Sequence, residues 1–228
     1  MPSSPFPRVI VNYKAYETGI AEAGLKLAFI MEKYGKEFFG IAPQMQDLTF
    51  IARQTSIPVF SQHADPLDED KATGWVLPRS LAKAGVFGVI LNHSERPLPT
   101  GRIEETIALA RKYGLSSLVC ANSPRRAREI AKLSPDAIAV EPPELIGTKT
   151  SVSEAEPEVI EKAVKNVHDV NPDILVFVGA GIHSSRDVSK ALELGAYGVL
   201  LASGVMKARD VEGEIKALVK GVKDGLSK

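Results

Sequence analysis

The chain has 228 residues, enough for one large core or two small ones, with 28 Lys plus Arg against 28 Asp plus Glu. A formal net charge of zero gives no electrostatic reason for a nucleic acid or an anionic membrane as partner, and a single cysteine, Cys120, excludes an internal disulfide. No apolar run is long enough to span a bilayer and no apolar signal segment follows Met1 to Pro7, so the expectation is a soluble, cytoplasmic protein.

Apolar, β-branched runs alternate with helix-like stretches along the whole chain. Strand-like Arg8 to Asn12 precedes helix-like Ala21 to Tyr34, and Phe38 to Ala42 precedes Leu48 to Gln54. The run Ile57 to Ser61 leads through a polar loop to a helix from Arg79 to Ala84, then a strand from Phe87 to Asn92. The second half repeats this rhythm. Helix Ile103 to Tyr113 precedes strand Ser117 to Ala121, and helix Pro124 to Leu133 opens with proline at its favoured first position. Strand Ala137 to Val140, helix Pro157 to Val170 and strand Ile174 to Gly179 follow. A helix capped by Ser184 or Ser185 and stopped by Gly195, strand Gly198 to Ala202, and a helix from Val211 to Val222 complete the pattern.

Continuous apolar runs suit parallel strands buried on both faces, and strict alternation argues for a parallel sheet. Eight units favour a closed (β/α)8 TIM barrel over an open doubly wound sheet. No linker or composition break divides the chain, so the expectation is one barrel domain over residues 1–228.

Chemistry in such a barrel lies at the C-terminal strand ends. Asn12 and Lys14, in "VNYK", have period-two spacing and point to one side. "LNHSE" presents His93 and Glu95, and the sixth strand ends in Glu141. Each has a bland reading by itself: a solvated cation, a capping histidine, a carboxylate balancing an arginine. Converging on one rim, they make an ammonium, an imidazole and a candidate base. "VGAGIHS" and "LASGV" bring glycine turns after strands seven and eight, where such barrels commonly bind phosphate. Ser203 could add a hydroxyl or an amide. No Walker motif, dinucleotide fingerprint or zinc spacing is present. His63, His168 and His183 are widely separated and read as solvent or loop residues, so no metal is expected.

"VNYK", "LNHSE" and "VEPPELIGT", in that order, resemble the triosephosphate isomerase family, and the short chain with "EPPEL" resembles its archaeal branch. The resemblance implies interconversion of dihydroxyacetone phosphate and D-glyceraldehyde 3-phosphate through an enediolate, as in glycolysis and gluconeogenesis, without metal or organic cofactor. It implies catalytic roles for Lys14, His93 and Glu141. It assigns substrate binding to Asn12, Lys14, Ile146, Gly147, Gly181, Ala202 and Ser203, with Glu95 paired to Lys14. It also implies a homo-oligomer: a dimer at least, and a tetramer for the archaeal branch. Two places depart from the family pattern. The lid reads Gly147-Thr148-Lys149 where Gly-Thr-Gly is common, and Thr73-Gly74 is followed by Trp75 instead of Glu, in a loop that contacts a neighbouring subunit in the family. Pro142 and Pro143, fixed near φ −65°, would make a stiff start to that lid. The rivals are another phosphate-binding barrel enzyme, which would not need Asn12, Lys14, His93 and Glu141 together, and a sugar-phosphate sensor, which would need the turns and not the base.

Overall fold

The structure, a computed structural model, describes residues 6–142, 157–182 and 184–227. Eight parallel strands form one sheet: β1 (Val9–Asn12), β2 (Phe39–Ala42), β3 (Phe60–Ser61), β4 (Gly88–Leu91), β5 (Ser116–Ala121), β6 (Ala137–Val140), β7 (Leu175–Val178) and β8 (Gly198–Leu201). The strand order is β2-β1-β8-β7-β6-β5-β4-β3. The remaining gap is bridged by one parallel pair, Ile41 with Val59, and by Ile41 N–H donating to the Pro58 carbonyl at 3.0 Å. The barrel expected from the alternation is what forms.

The third strand differs from its sequence pattern. Ile57 to Ser61 reads as a strand, but the ladder holds only Phe60–Ser61. Pro58 sits in that run without an N–H to donate, so its carbonyl serves as acceptor and pairing shrinks to a bridge.

Helices α1 (Ala21–Gly35), α2 (Leu48–Ala52), α3 (Pro78–Ala84), α4 (Thr100–Lys112), α5 (Pro124–Ala131), α6 (Pro157–His168), α7 (Ser185–Glu193), α8 (Ser203–Met206) and α9 (Val211–Leu226) wrap the sheet. Local signals placed several ends correctly. Pro124 opens α5, where the Ser123 side chain also accepts from Arg126 N, and the Ser184 side chain accepts from Asp187 N ahead of α7. Gly195, with φ +93°, follows α7. The four-residue α8 carries no periodicity to betray it and went unseen in the sequence.

Two cores explain why the strands read as unbroken apolar runs. One lies inside the barrel and includes Ile10, Phe60, Ile90, Leu118, Ala139, Phe177 and Leu200. The other lies between strands and helices and takes the alternate residues, Val9 and Val11 or Ile138 and Val140 among them. Both faces are largely dry, and the polar residues within the ladders sit toward strand ends: Asn12 in β1, Ser61 in β3, and Ser116 and Ser117 at the start of β5. Phe6 plugs one end of the inner core, its ring centroid 5.6 Å from those of Phe60, Phe87 and Phe177.

Candidate active site

Strand parity builds half of the site. Ile10, Ala139, Phe177 and Leu200 face inward, so the next inward positions are Asn12, Glu141, Gly179 and Ala202. All four line one cavity of about 280 Å³ at the C-terminal rim. Lys14 and His93 join them by backbone turns outside the ladder. Lys14 has φ +46°, a costly value for a residue with a Cβ. Three hydrogen bonds hold it there: its N–H donates to Asn12 Oδ1 at 2.9 Å, and its carbonyl accepts from Gln44 Nε2 at 2.7 Å and Gln62 Nε2 at 3.0 Å. Asn92 takes φ +57° at the end of β4 and turns the chain into His93. Its Nδ2 donates to the Cys120 carbonyl at 2.8 Å and its Oδ1 accepts from Leu98 N at 2.8 Å. Asparagine is among the few residues that adopt this conformation readily.

Glu141 is 4% exposed, and its Oε2 has no hydrogen-bond partner among the described residues. Burial pushes its carboxyl up to about 7, against the opposing pull of Lys14 and of a hydrogen bond from Cys120. The same neighbourhood drives the Cys120 thiol upward, first by burial and then by the carboxylate. A buried carboxylate with a free oxygen and a pKa near neutrality can take up or release a proton at physiological pH.

His93 Nε2 lies 3.7 Å from Glu141 Oε1. On the other side of the ring, the Glu95 N–H donates to His93 Nδ1 at 3.2 Å. A backbone N–H can only donate, so Nδ1 is the acceptor and the ring proton is assigned to Nε2, facing the cavity. Burial first, and then the Lys14 charge, hold the imidazole below its ordinary value, with Glu95 pulling the other way. The ring is thus a neutral donor. Lys14 Nζ pairs with Glu95 Oε1 at 2.7 Å, the pairing the sequence suggested.

On the far side, Gly181 (φ +66°), Ala202 and Ser203 line the same cavity. The N–H groups of Gly181, Ile182, Ser203 and Gly204 have no backbone acceptor outside their own element among the described residues. Donors of this kind can receive an anion. The lid residues Pro143, Ile146, Gly147, Thr148 and Lys149 lie outside the described residues. Pro142 lies within them. It is buried and shares an apolar cleft with Val159, Ala163 and Val178.

Sequence reading missed Tyr16 and Lys207, which line the cavity, Gln44 and Gln62, which hold the Lys14 turn, and Asn92, which aims His93. Only Asn92 left a signal, an αL-tolerant residue between a strand and a histidine. One reading is corrected. His63 is no solvent residue. It is 4% exposed, and its Nε2 meets Asp65 Oδ1 at 2.9 Å. Asp65 also accepts from Val76 N at 2.7 Å through Oδ2 and donates its own N–H to the Val76 carbonyl at 2.8 Å. The pair therefore locks the base of the loop that carries Thr73 to Trp75. Burial lowers the His63 pKa, with the Asp65 hydrogen bond opposing. Among the described residues no three side chains cluster as a metal site.

A (β/α)8 barrel with a carboxylate of raised pKa, a neutral imidazole and an ammonium on one rim belongs to the class of barrel enzymes built for proton transfer. Comparison with known proteins gives the family. The family model for triosephosphate isomerase matches residues 7–220. The triosephosphate isomerase of Methanocaldococcus jannaschii is 45% identical over 93% of this chain and 98% of its own length. That of Archaeoglobus fulgidus is 46% identical over 92% and 96%, and that of Methanosarcina barkeri 38% identical over 94% and 98%. The chain belongs to the triosephosphate isomerase family.

Proposed function

We propose that this chain interconverts dihydroxyacetone phosphate and D-glyceraldehyde 3-phosphate, with Glu141 as the base that moves the carbon-bound proton. A glutamate base beside a neutral histidine electrophile is the established pattern for this family, and these roles are carried over from it. The observation that carries the reading is the buried Glu141 carboxyl, with Oε2 unpartnered and its pKa near 7, facing the His93 Nε2–H.

Glu141 removes the proton from the carbon next to the carbonyl and returns it to the adjacent carbon. General-base help of this kind is worth about 10²–10⁴-fold. The enediolate oxygens take negative charge. His93 Nε2–H, Asn12 Nδ2 and the Lys14 ammonium stabilise them. Asn12 Oδ1 is already committed to Lys14 N, so its amide nitrogen is the end left for substrate. A fixed donor aimed at developing charge contributes about 2.7–4 kcal/mol. Gly181, Ala202 and Ser203 bind the phosphate, joined by Ile146 and Gly147 of the lid. Lid closure over phosphate keeps water from the enediolate, which would otherwise eliminate phosphate.

The wider reading includes one domain over residues 1–228, a cytoplasmic location, a place in glycolysis and gluconeogenesis, and no need of metal or organic cofactor. It also includes a homotetramer, with a dimer as the minimum.

The test is a coupled isomerisation assay of wild type against Glu141→Asp. We expect kcat to fall by about 10²–10³-fold with KM little changed, because shortening the arm withdraws the base without touching phosphate contacts. Equal rates would remove Glu141 from the reaction.

A further inference from the structure

The cavity holds a second ammonium that proton transfer leaves unused. Lys207 lines it together with Lys14, Tyr16, Glu141 and Ser203. It follows α8 directly, and its backbone N–H donates to the Ser203 carbonyl at 3.0 Å. Its Nζ lies 5.7 Å from the centroid of the Tyr16 ring.

The rim that carries it is firmly built. Thr18 Oγ1 donates to the Met206 carbonyl at 2.8 Å, tying the chain before Lys207 to the chain after Tyr16. Gly19 passes so close that a Cβ there would sit 2.7 Å from Met206 Cε. Lys207 is exposed, and among the described residues it makes no ion pair with a carboxylate.

The cavity's own charges show what such a cation does. Lys14 is already paired with Glu95 at 2.7 Å, so the pair adds no net charge to the lining. Glu141 must be ionised to act as base, and it then adds one negative charge. A phosphate monoester carries about −1.5 to −2 at neutral pH. Without Lys207, a near-dianion would enter a lining of net negative charge. With Lys207 the lining is neutral. Lysine suits the position, since a mobile point charge can meet phosphate without a fixed fork geometry.

We infer that Lys207 is a specificity-determining residue of this site: its ammonium offsets Glu141 and gives the cavity its preference for dianionic phosphate esters, without touching the proton that moves. This rests on the isomerase reading above for its catalytic consequences, though not for phosphate binding itself. A rim charge acts mainly through encounter and salt dependence, so the expected loss falls on KM and kcat/KM.

The experiment compares wild type, Lys207→Gln and Lys207→Arg at low and physiological ionic strength. Two readouts are used: isomerisation of D-glyceraldehyde 3-phosphate against proton exchange on phosphate-free glyceraldehyde, and calorimetric titration with inorganic phosphate. The expected result for Lys207→Gln is about 5–10-fold lower kcat/KM for the phosphorylated substrate at low salt, through KM, with a flatter salt slope. Turnover of glyceraldehyde stays as in wild type, phosphate affinity drops by a similar factor, and Lys207→Arg recovers most of both. Unchanged phosphate affinity and salt slope in Lys207→Gln would overturn the inference, as would equal losses on the two aldehydes. If wild type turned over no triose phosphate, the isomerase reading would fail by itself, and the phosphate titration would still decide Lys207.

Discussion

Gly179 is where the placement of the base can be tested without altering the base. It follows β7 directly, one parity step beyond Phe177, against the Glu141 side chain. A Cβ built at 179 would lie 2.3 Å from Glu141 Cγ, 2.6 Å from Oε1 and 2.9 Å from Cδ. Carbon atoms in ordinary contact sit about 3.5–4.0 Å apart, so Glu141 Cγ would have to retreat by roughly 1 Å or more. Misplacing a reacting group by about 1 Å can cost about 10²-fold. Gly179→Ala should therefore lower kcat by about 10²-fold while KM, set largely by phosphate contacts, stays within a few-fold. The overlap should cost about 1–3 kcal/mol of stability, offset in part by the about 0.4–1 kcal/mol that alanine gains over glycine where φ is not positive, so the protein should be less stable but still folded. The measurements are the coupled assay and urea denaturation on the same preparations. Wild-type kcat in a folded Gly179→Ala protein would refute the reasoning, since it would mean the carboxyl works equally well from a displaced position.

Two further outcomes follow from the site. Burial sets the Glu141 pKa at about 7 in the folded chain, against an ordinary 4.5, so the folded state holds its proton more tightly than the unfolded one. That stabilisation is full below about pH 4.5 and is lost as pH rises to about 7, a change of about 3 kcal/mol, while kcat/KM rises over the upper part of the same window as the base ionises. Denaturation of wild type and Glu141→Gln at pH 5 and pH 8 checks it: the glutamine variant should lack this component of the slope, and parallel slopes would refute the placement of the pKa. Asn92→Gly keeps the φ +57° conformation but loses both side-chain hydrogen bonds, so it should cost about 1–3 kcal/mol in urea denaturation and lower kcat by loosening His93. Asn92→Ala adds backbone strain and should cost more; an Asn92→Ala protein as stable as Asn92→Gly would count against the turn as the reason for asparagine.

Much of this protein is decided locally. A strand buried on both faces is apolar over most of its length, so the runs are visible without any partner. Ser123 and Ser184 cap from three residues away, and Gly195 relieves a left-handed turn at its own Cα. The parity that carries Asn12, Glu141 and Ala202 inward is likewise a property of each strand alone, and "VNYK", "LNHSE" and "VEPPELIGT" are contiguous.

What the sequence could not determine depends on contacts between segments far apart in the chain. His63 reads as a loop polar residue until the barrel encloses it with Asp65. Pro58 looks like a strand residue until the ladder demands the N–H it lacks. Gly179 looks like one more turn glycine until β6 sets Glu141 against it. Lys207 is an ordinary exposed lysine in sequence, and only closure of β8 against β1 sets it beside Tyr16 at the rim of the cavity. Periodicity reports which face of an element is dry. It carries no information on which distant side chain occupies the space in front of it, and in this barrel that is what raises the Glu141 pKa.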